Sequence, residues 1–419
     1  MSGFKALGEI IQGNRAGAPL AIPSWCTAHP DSLRAILRAH QDSAGPVLIE
    51  ATCNQVNQDG GYTGMNPAQF RKFVENLARD EGIGANRLIL GGDHLGPNPW
   101  KHLPASEAMA RAVEMVKAYA HAGFTKIHLD ASMACADDLR LQEETMAARA
   151  AELCVASEAS ATEPTAYVIG AEVPIPGGET DALATMSVTD PGAVRRTYEL
   201  HAEAFKKRGL ATALQRVIAL VVQPGVDFDN ESVTLFDKSK AGALGAAAAG
   251  IPGAAFEAHS TDYQTQGCLA DLVASHFAIL KAGPELTFAF REAVFAMAAM
   301  EDQLAPDVRS DLVNVLDAAM NRDDRYWRRY VPDGIHARTA KLFGLSDRVR
   351  YYWPNAEVSQ AVRLLRANID RQAVPRGLVL QYAGEECLEP ANLPLSRRII
   401  AHKVGQVARK YLAASGLLS

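Results

Sequence analysis

Cysteine is scarce and unpaired. Six thiols, at positions 26, 53, 135, 154, 268 and 387, stand without CxxC or metal-finger spacing, so the chain reads as a reduced protein rather than a disulfide-stapled one. No apolar run is long enough to span a bilayer, which excludes a transmembrane helix. The start, MSGFKALGEIIQGNRAG, carries Glu9 and amphipathic spacing where a secretory signal needs an apolar core. A cytoplasmic protein is expected, with no membrane partner. Neither sign of charge dominates: 42 Lys and Arg against 48 Asp and Glu leave a net charge of −6, which argues against nucleic acid as a partner. No strand-like run leads into GxGxxG or GxxxxGK[ST], so a nucleotide cradle is missing.

What is present is a rhythm. Eight short apolar runs alternate with amphipathic stretches: 19–26, 47–53, 87–94, 126–132, 166–173, 217–224, 253–260 and 277–287. They are continuous rather than alternating, as in parallel strands covered on both faces. Asn66-Pro67 reads as a helix N-cap, with Phe70, Phe73, Val74 and Leu77 following on one face; Asp190-Pro191 opens another helix. The pattern predicts an α/β fold, a (β/α)₈ TIM barrel over residues 1–290. From about 291 to 419 the alternation stops, and a helical C-terminal region packed on the barrel is expected.

Such barrels carry their chemistry at the C-terminal strand ends. Those ends hold Glu50 and Asn54, Asp93 and His94, His128 and Asp130, Glu172, Gln223, Glu257 and His259, and Lys281. Asp93-His94 in LGGDHLGP pairs a possible metal ligand with a possible base. His94, Glu172 and His259 come from three strands and can converge on one divalent ion. Neighbours at a strand end diverge, so Asp93 is expected to face a substrate while His94 coordinates. Asp130 and Glu50 are the further candidates for proton transfer. Lys281, with Ser260 and Asp262, is expected to bind phosphate at the start of the following helix. Asn54 and Gln223 join them as substrate contacts. Arg348 and Arg350 read as a solvated basic patch, and His29 as structural.

The motifs IPSWCTAHP, IEATCNQVNQDGGYTGM, LGGDHLGPNPW, IHLDASM, GAEVPIPGG, VVQPGVDFD, FEAHSTDYQ and LKAGPELTFAFREA resemble, across the whole chain, the non-catalytic subunit family of class II D-tagatose-1,6-bisphosphate aldolase. That resemblance implies an aldolase-type barrel and tagatose phosphates as ligands. It offers three roles. One is a D-tagatose 6-phosphate 4-epimerase working by retro-aldol chemistry, the reading preferred here because the rim is full of acids and imidazoles. Another is a stabilising subunit for a separate catalytic aldolase. The third, an old kinase label, is discounted for want of a nucleotide cradle. Catalytic class II aldolases carry Asp-His at strand three and a metal-binding His at strand seven, which Asp93-His94 and His259 match. Their further metal-binding His has no counterpart at Glu172 or Gln223. The implied cofactor is a divalent ion, Zn, Mn, Co or Mg. The implied partners are a phosphorylated ketohexose, a catalytic aldolase chain and further copies of this chain.

Overall fold

The computed structural model describes residues 3–43, 45–170, 187–331, 334–389 and 392–418. Eight parallel strands close a barrel: β1 (Ile22–Trp25), β2 (Val47–Thr52), β3 (Leu88–Leu95), β4 (Lys126–Leu129), β5 (Ala166–Ile169), β6 (Val217–Val221), β7 (Ala255–Ala258) and β8 (Phe277–Ala282). Neighbours in sequence are neighbours in the sheet, and β8 closes on β1 with Ile22 opposite Ile279 and Ser24 opposite Lys281. Seven of the strands fall inside the apolar runs, β3 extends one residue past its run to Leu95, and helices run between them. The helix Pro67–Asp80 shows why: Asn66 and Gln69 form a reciprocal capping box, proline occupies the first turn, and Phe70, Val74 and Leu77 are buried. Asp190 likewise caps Pro191–Lys207 through the N–H groups of Gly192 and Ala193.

Side-chain alternation sorts the interior into layers. At the bottom, Ile22, Leu48, Ile89, Val168, Ala255 and Ile279 pack with Leu7, Ile10 and Ile11 of the helix Gly3–Arg15, which plugs that end. Two residues further along the strands the interior turns ionic, with Glu50, Lys126, Glu257 and Lys281 meeting across it. Gly91 occupies the equivalent position on β3. A Cβ there would sit 2.6 Å from Glu50 Cγ, so only glycine leaves room for that side chain.

After β8 the chain turns at once into the helix Pro284–Leu304, so the boundary expected near residue 290 falls inside this helix. The helices Leu312–Arg322, Ala337–Phe343, Ala356–Arg371, Arg376–Tyr382 and Leu395–Ala414 follow. The last packs on both Pro30–Ala39 and Pro284–Leu304, and one apolar cluster runs through barrel and C-terminal helices. The α-helix Lys238–Ala247 is followed by one 3₁₀ turn, Ala248–Gly250. No helix among the described residues is long and apolar enough to cross a membrane.

Candidate metal centre and pocket

Above the ionic layer, Asp93, His94, His128 and His259 converge, each offering one ligand atom, and these atoms all lie within 4.8 Å of one another. His128 and His259 arrive by strand periodicity, two residues beyond Lys126 and Glu257. His94 arrives by an irregularity. The β3–β4 register shifts between Gly92 and Leu95, and His94 takes φ +49°, a left-handed conformation that returns its ring to the mouth. Asp93 and His94 therefore do not diverge as expected; Asp93 Oδ2 lies 3.7 Å from His94 Nε2.

Each imidazole is oriented by a partner behind it. His94 Nδ1 donates to Asp130 Oδ2 at 2.8 Å, His259 Nε2 to Glu257 Oε1 at 3.0 Å, and His128 Nε2 to the Gly170 carbonyl at 2.9 Å. The other nitrogen of each ring is then the basic one, as in histidines that hold a metal. Two basic atoms, His128 Nδ1 and Asp93 Oδ1, end up 3.0 Å apart, a contact that a cation or an added proton relieves. Carboxylates also exceed ammonium groups here four to two: Glu50, Asp93, Asp130 and Glu257 against Lys126 and Lys281. The donor chemistry and the charge surplus both fit a divalent ion.

The electrostatics follow from burial and neighbours. Burial alone would raise the Asp93 carboxyl, but His94 and Lys281 hold it well below the usual range. Burial likewise opposes Lys281, yet Asp93 at 2.6 Å, Glu50 at 2.7 Å and Glu257 at 3.2 Å hold it well above its ordinary value. His94 is raised against its burial by Asp93 and Asp130, while burial lowers His259 to about 3.

Over this floor opens a cavity of about 560 Å³. Cys26, Ser260 and Lys281 line its lower part, and Arg350, Tyr351, Trp353, Arg363 and Arg366 line it from the C-terminal region. The arginines at 348 and 350 are not a solvated patch. Arg348 is buried over the Tyr330 ring, and Arg350 is held by the Ser346 and Asp347 carbonyls and by Tyr351 Oη. His29, read as structural, also lines the cavity, between Phe290 and Trp353; burial lowers it to about 4.

A family model described as D-tagatose-1,6-bisphosphate aldolase subunit GatZ/KbaZ-like matches residues 7–416. The chain belongs to this GatZ/KbaZ-like family. The D-tagatose-1,6-bisphosphate aldolase subunit GatZ of Salmonella heidelberg is 48% identical over 413 residues, covering 96% of this chain and 97% of the relative. That of Klebsiella pneumoniae is 49% identical over 381 residues, covering 89% and 90%. A crystal structure from Sinorhizobium meliloti 1021, titled a probable tagatose 6 phosphate kinase, superposes with a TM-score of 0.86 at 44% identity, covering 94% of this chain and 100% of that one.

In this GatZ/KbaZ-like barrel the residues expected from sequence separate into groups. Asp93, His94, Asp130 and His259 come together. Asp130 stands behind His94 and also accepts from the Ser132 backbone N–H and hydroxyl, so it orients that imidazole rather than facing the cavity alone. Glu50 lies below the pocket floor, locked between Lys126 and Lys281, and is not placed for proton transfer to a ligand. Glu172 lies outside the described residues. Asn54 is exposed at the rim. Gln223 turns its amide oxygen onto the N–H groups of Gly225 and Val226 in its own loop. Ser260 faces the cavity from a left-handed turn, φ +53°.

The phosphate expectation at β8 needs correction. The anion position at the start of Pro284–Leu304 is already taken by Asp262, whose Oδ1 accepts from Gly283 N and Glu285 N at 2.9 and 2.8 Å. Lys281 points into the barrel and is surrounded by carboxylates. His128 as a candidate ligand and Lys126 as the centre of the ionic layer were not among the residues expected from sequence. The signal was the i, i+2 series Lys126, His128, Asp130, which one inward face of β4 carries into the site.

Proposed function

We propose that this chain serves the metabolism of tagatose phosphates as a subunit of class II D-tagatose-1,6-bisphosphate aldolase, beside a catalytic chain that it stabilises. What supports this most is the end-to-end similarity to relatives named as that subunit. The test is to purify the chain with the catalytic chain of such an aldolase. Co-elution and a several-fold longer active half-life of the partner are expected; independent elution with no gain in aldolase activity rejects it.

A second reading is favoured by one observation: the pocket keeps its full set of oriented imidazoles beside an ionised carboxylate. A divalent ion held by His94, His128 and His259 would act as a Lewis acid on a ketone oxygen. The chain's own groups do the rest. Lys281 keeps Asp93 ionised to receive a hydrogen bond from a substrate hydroxyl, and Tyr351 and Trp353 cover the cavity against water and aldehyde escape. This is the equipment for C4 epimerisation of D-tagatose 6-phosphate to D-fructose 6-phosphate by bond cleavage and re-addition. Incubating the chain alone with D-tagatose 6-phosphate and a divalent ion tests it. Appearance of fructose 6-phosphate supports the epimerase; no turnover with any ion leaves the subunit role.

A further inference from the structure

We propose that the outer wall of the cavity is a phosphomonoester site built by Arg350, Arg363 and Arg366, which holds the phosphate of a sugar phosphate whose chain reaches down to Asp93 and His94. This deepens the tagatose-phosphate reading and rests on it for the sugar, not for the phosphate.

The usual barrel position is closed to a phosphate. Asp262 already bonds the two N–H groups there, and Glu285 adds a second carboxylate beside it. A dianion would meet two acids instead of open donors. Lys281 is matched by three carboxylates and has no surplus charge to offer.

The wall from the C-terminal region has the converse character. Three guanidiniums line it, against one carboxylate, Asp31, which pairs with Arg366 at 3.1 Å. Arg350 is fixed in place by two backbone carbonyls and the Tyr351 hydroxyl, so its guanidinium is preorganised. Arg363 is exposed and has no ion pair among the described residues. Guanidinium donors in a fixed fork suit phosphate oxygens. The cavity, at about 560 Å³, is far larger than an ion and is in the range that holds a small metabolite. It is polarised along its depth, with acids and imidazoles at the floor and arginines at the mouth.

Isothermal titration of the full chain with D-tagatose 6-phosphate, glycerol 3-phosphate and D-tagatose tests the site. The phosphorylated ligands should bind at least about 10-fold more tightly than D-tagatose. Arg363→Ala, at an exposed position that leaves the fold intact, and Arg350→Lys should each weaken both phosphorylated ligands about 10-fold and leave D-tagatose unchanged. Asp31→Asn should strengthen them, because it frees Arg366; a merely structural role for these residues predicts no gain. Unchanged affinity in all three variants, or no binding of either phosphomonoester by the wild type, overturns the proposal. Glycerol 3-phosphate bound through the arginines without D-tagatose 6-phosphate keeps the site and removes the ketohexose. D-Tagatose 6-phosphate bound equally by all variants keeps the ketohexose and removes the site.

Discussion

At the scale of single residues, position in the barrel's depth decides role. Asp130 and Glu50 are both strand-end carboxylates, yet one orients His94 and the other belongs to an ion-pair ring. Asp130→Ala should weaken Mn²⁺ or Zn²⁺ binding about 10–100-fold, the usual effect of removing the partner that orients a metal-binding imidazole. Chelator competition measures it, and unchanged affinity would remove Asp130 from that role. Lys126 is wholly buried with Glu50 at 2.6 Å and Glu257 at 2.7 Å. Lys126→Met removes one of the two ammonium groups between these carboxylates and leaves Lys281 to offset both of them. A loss of about 3–5 kcal/mol is expected in urea unfolding, because breaking a buried pair costs far more than replacing it whole. Wild-type stability in that variant would mean the ring is dispensable.

At the scale of elements, the turn from β8 into Pro284–Leu304 carries a pH-sensitive cap. Burial, then the Glu285 carboxylate, pushes Asp262 up to about 7. A carboxyl whose folded pKa lies above its unfolded value near 4 holds its proton more tightly when folded. Its contribution is complete at low pH and is lost as pH rises from about 4 to about 7. Asp262→Asn keeps an oxygen acceptor for the Gly283 and Glu285 N–H groups without the ionisation. It should raise stability relative to wild type at pH 8, by up to about 4 kcal/mol, with little difference at pH 4. Thermal unfolding across that range is the measurement; a pH-independent difference would show that Asp262 does not titrate there.

At the scale of the molecule, the C-terminal region completes the pocket. The segment bearing Arg350 and Tyr351 is tied to Pro284–Leu304 through Arg291, which reaches Asp347 at 2.9 Å and the Gly344 and Phe343 carbonyls. Thr287 adds a bond to the same Asp347 carboxylate at 2.6 Å. Arg291→Met leaves Asp347 buried against one hydroxyl. A stability loss of about 3–5 kcal/mol is expected, with faster proteolysis near residues 343–351. Limited digestion with mass spectrometry checks it, and an unaltered cleavage pattern would show that the pair does not anchor this wall.

The barrel was legible in the sequence because eight apolar runs and their capped helices are local features, each set by neighbours within about one helical turn or one strand. Asp93, His94 and His259 were legible for a related reason, since strand ends in a barrel share one face of the molecule. How those groups are arranged was decided only by tertiary structure. The left-handed turn at His94 swings two adjacent residues onto one site, which no alternation rule anticipates. Asp262 fills an anion position because a strand-seven loop meets a strand-eight helix. The arginines at 350, 363 and 366 reach a barrel mouth whose nearest strand is some 70 residues earlier in the chain. Periodicity reports what faces a core; it does not report which charge lies across a cavity, because that depends on packing between segments remote in sequence.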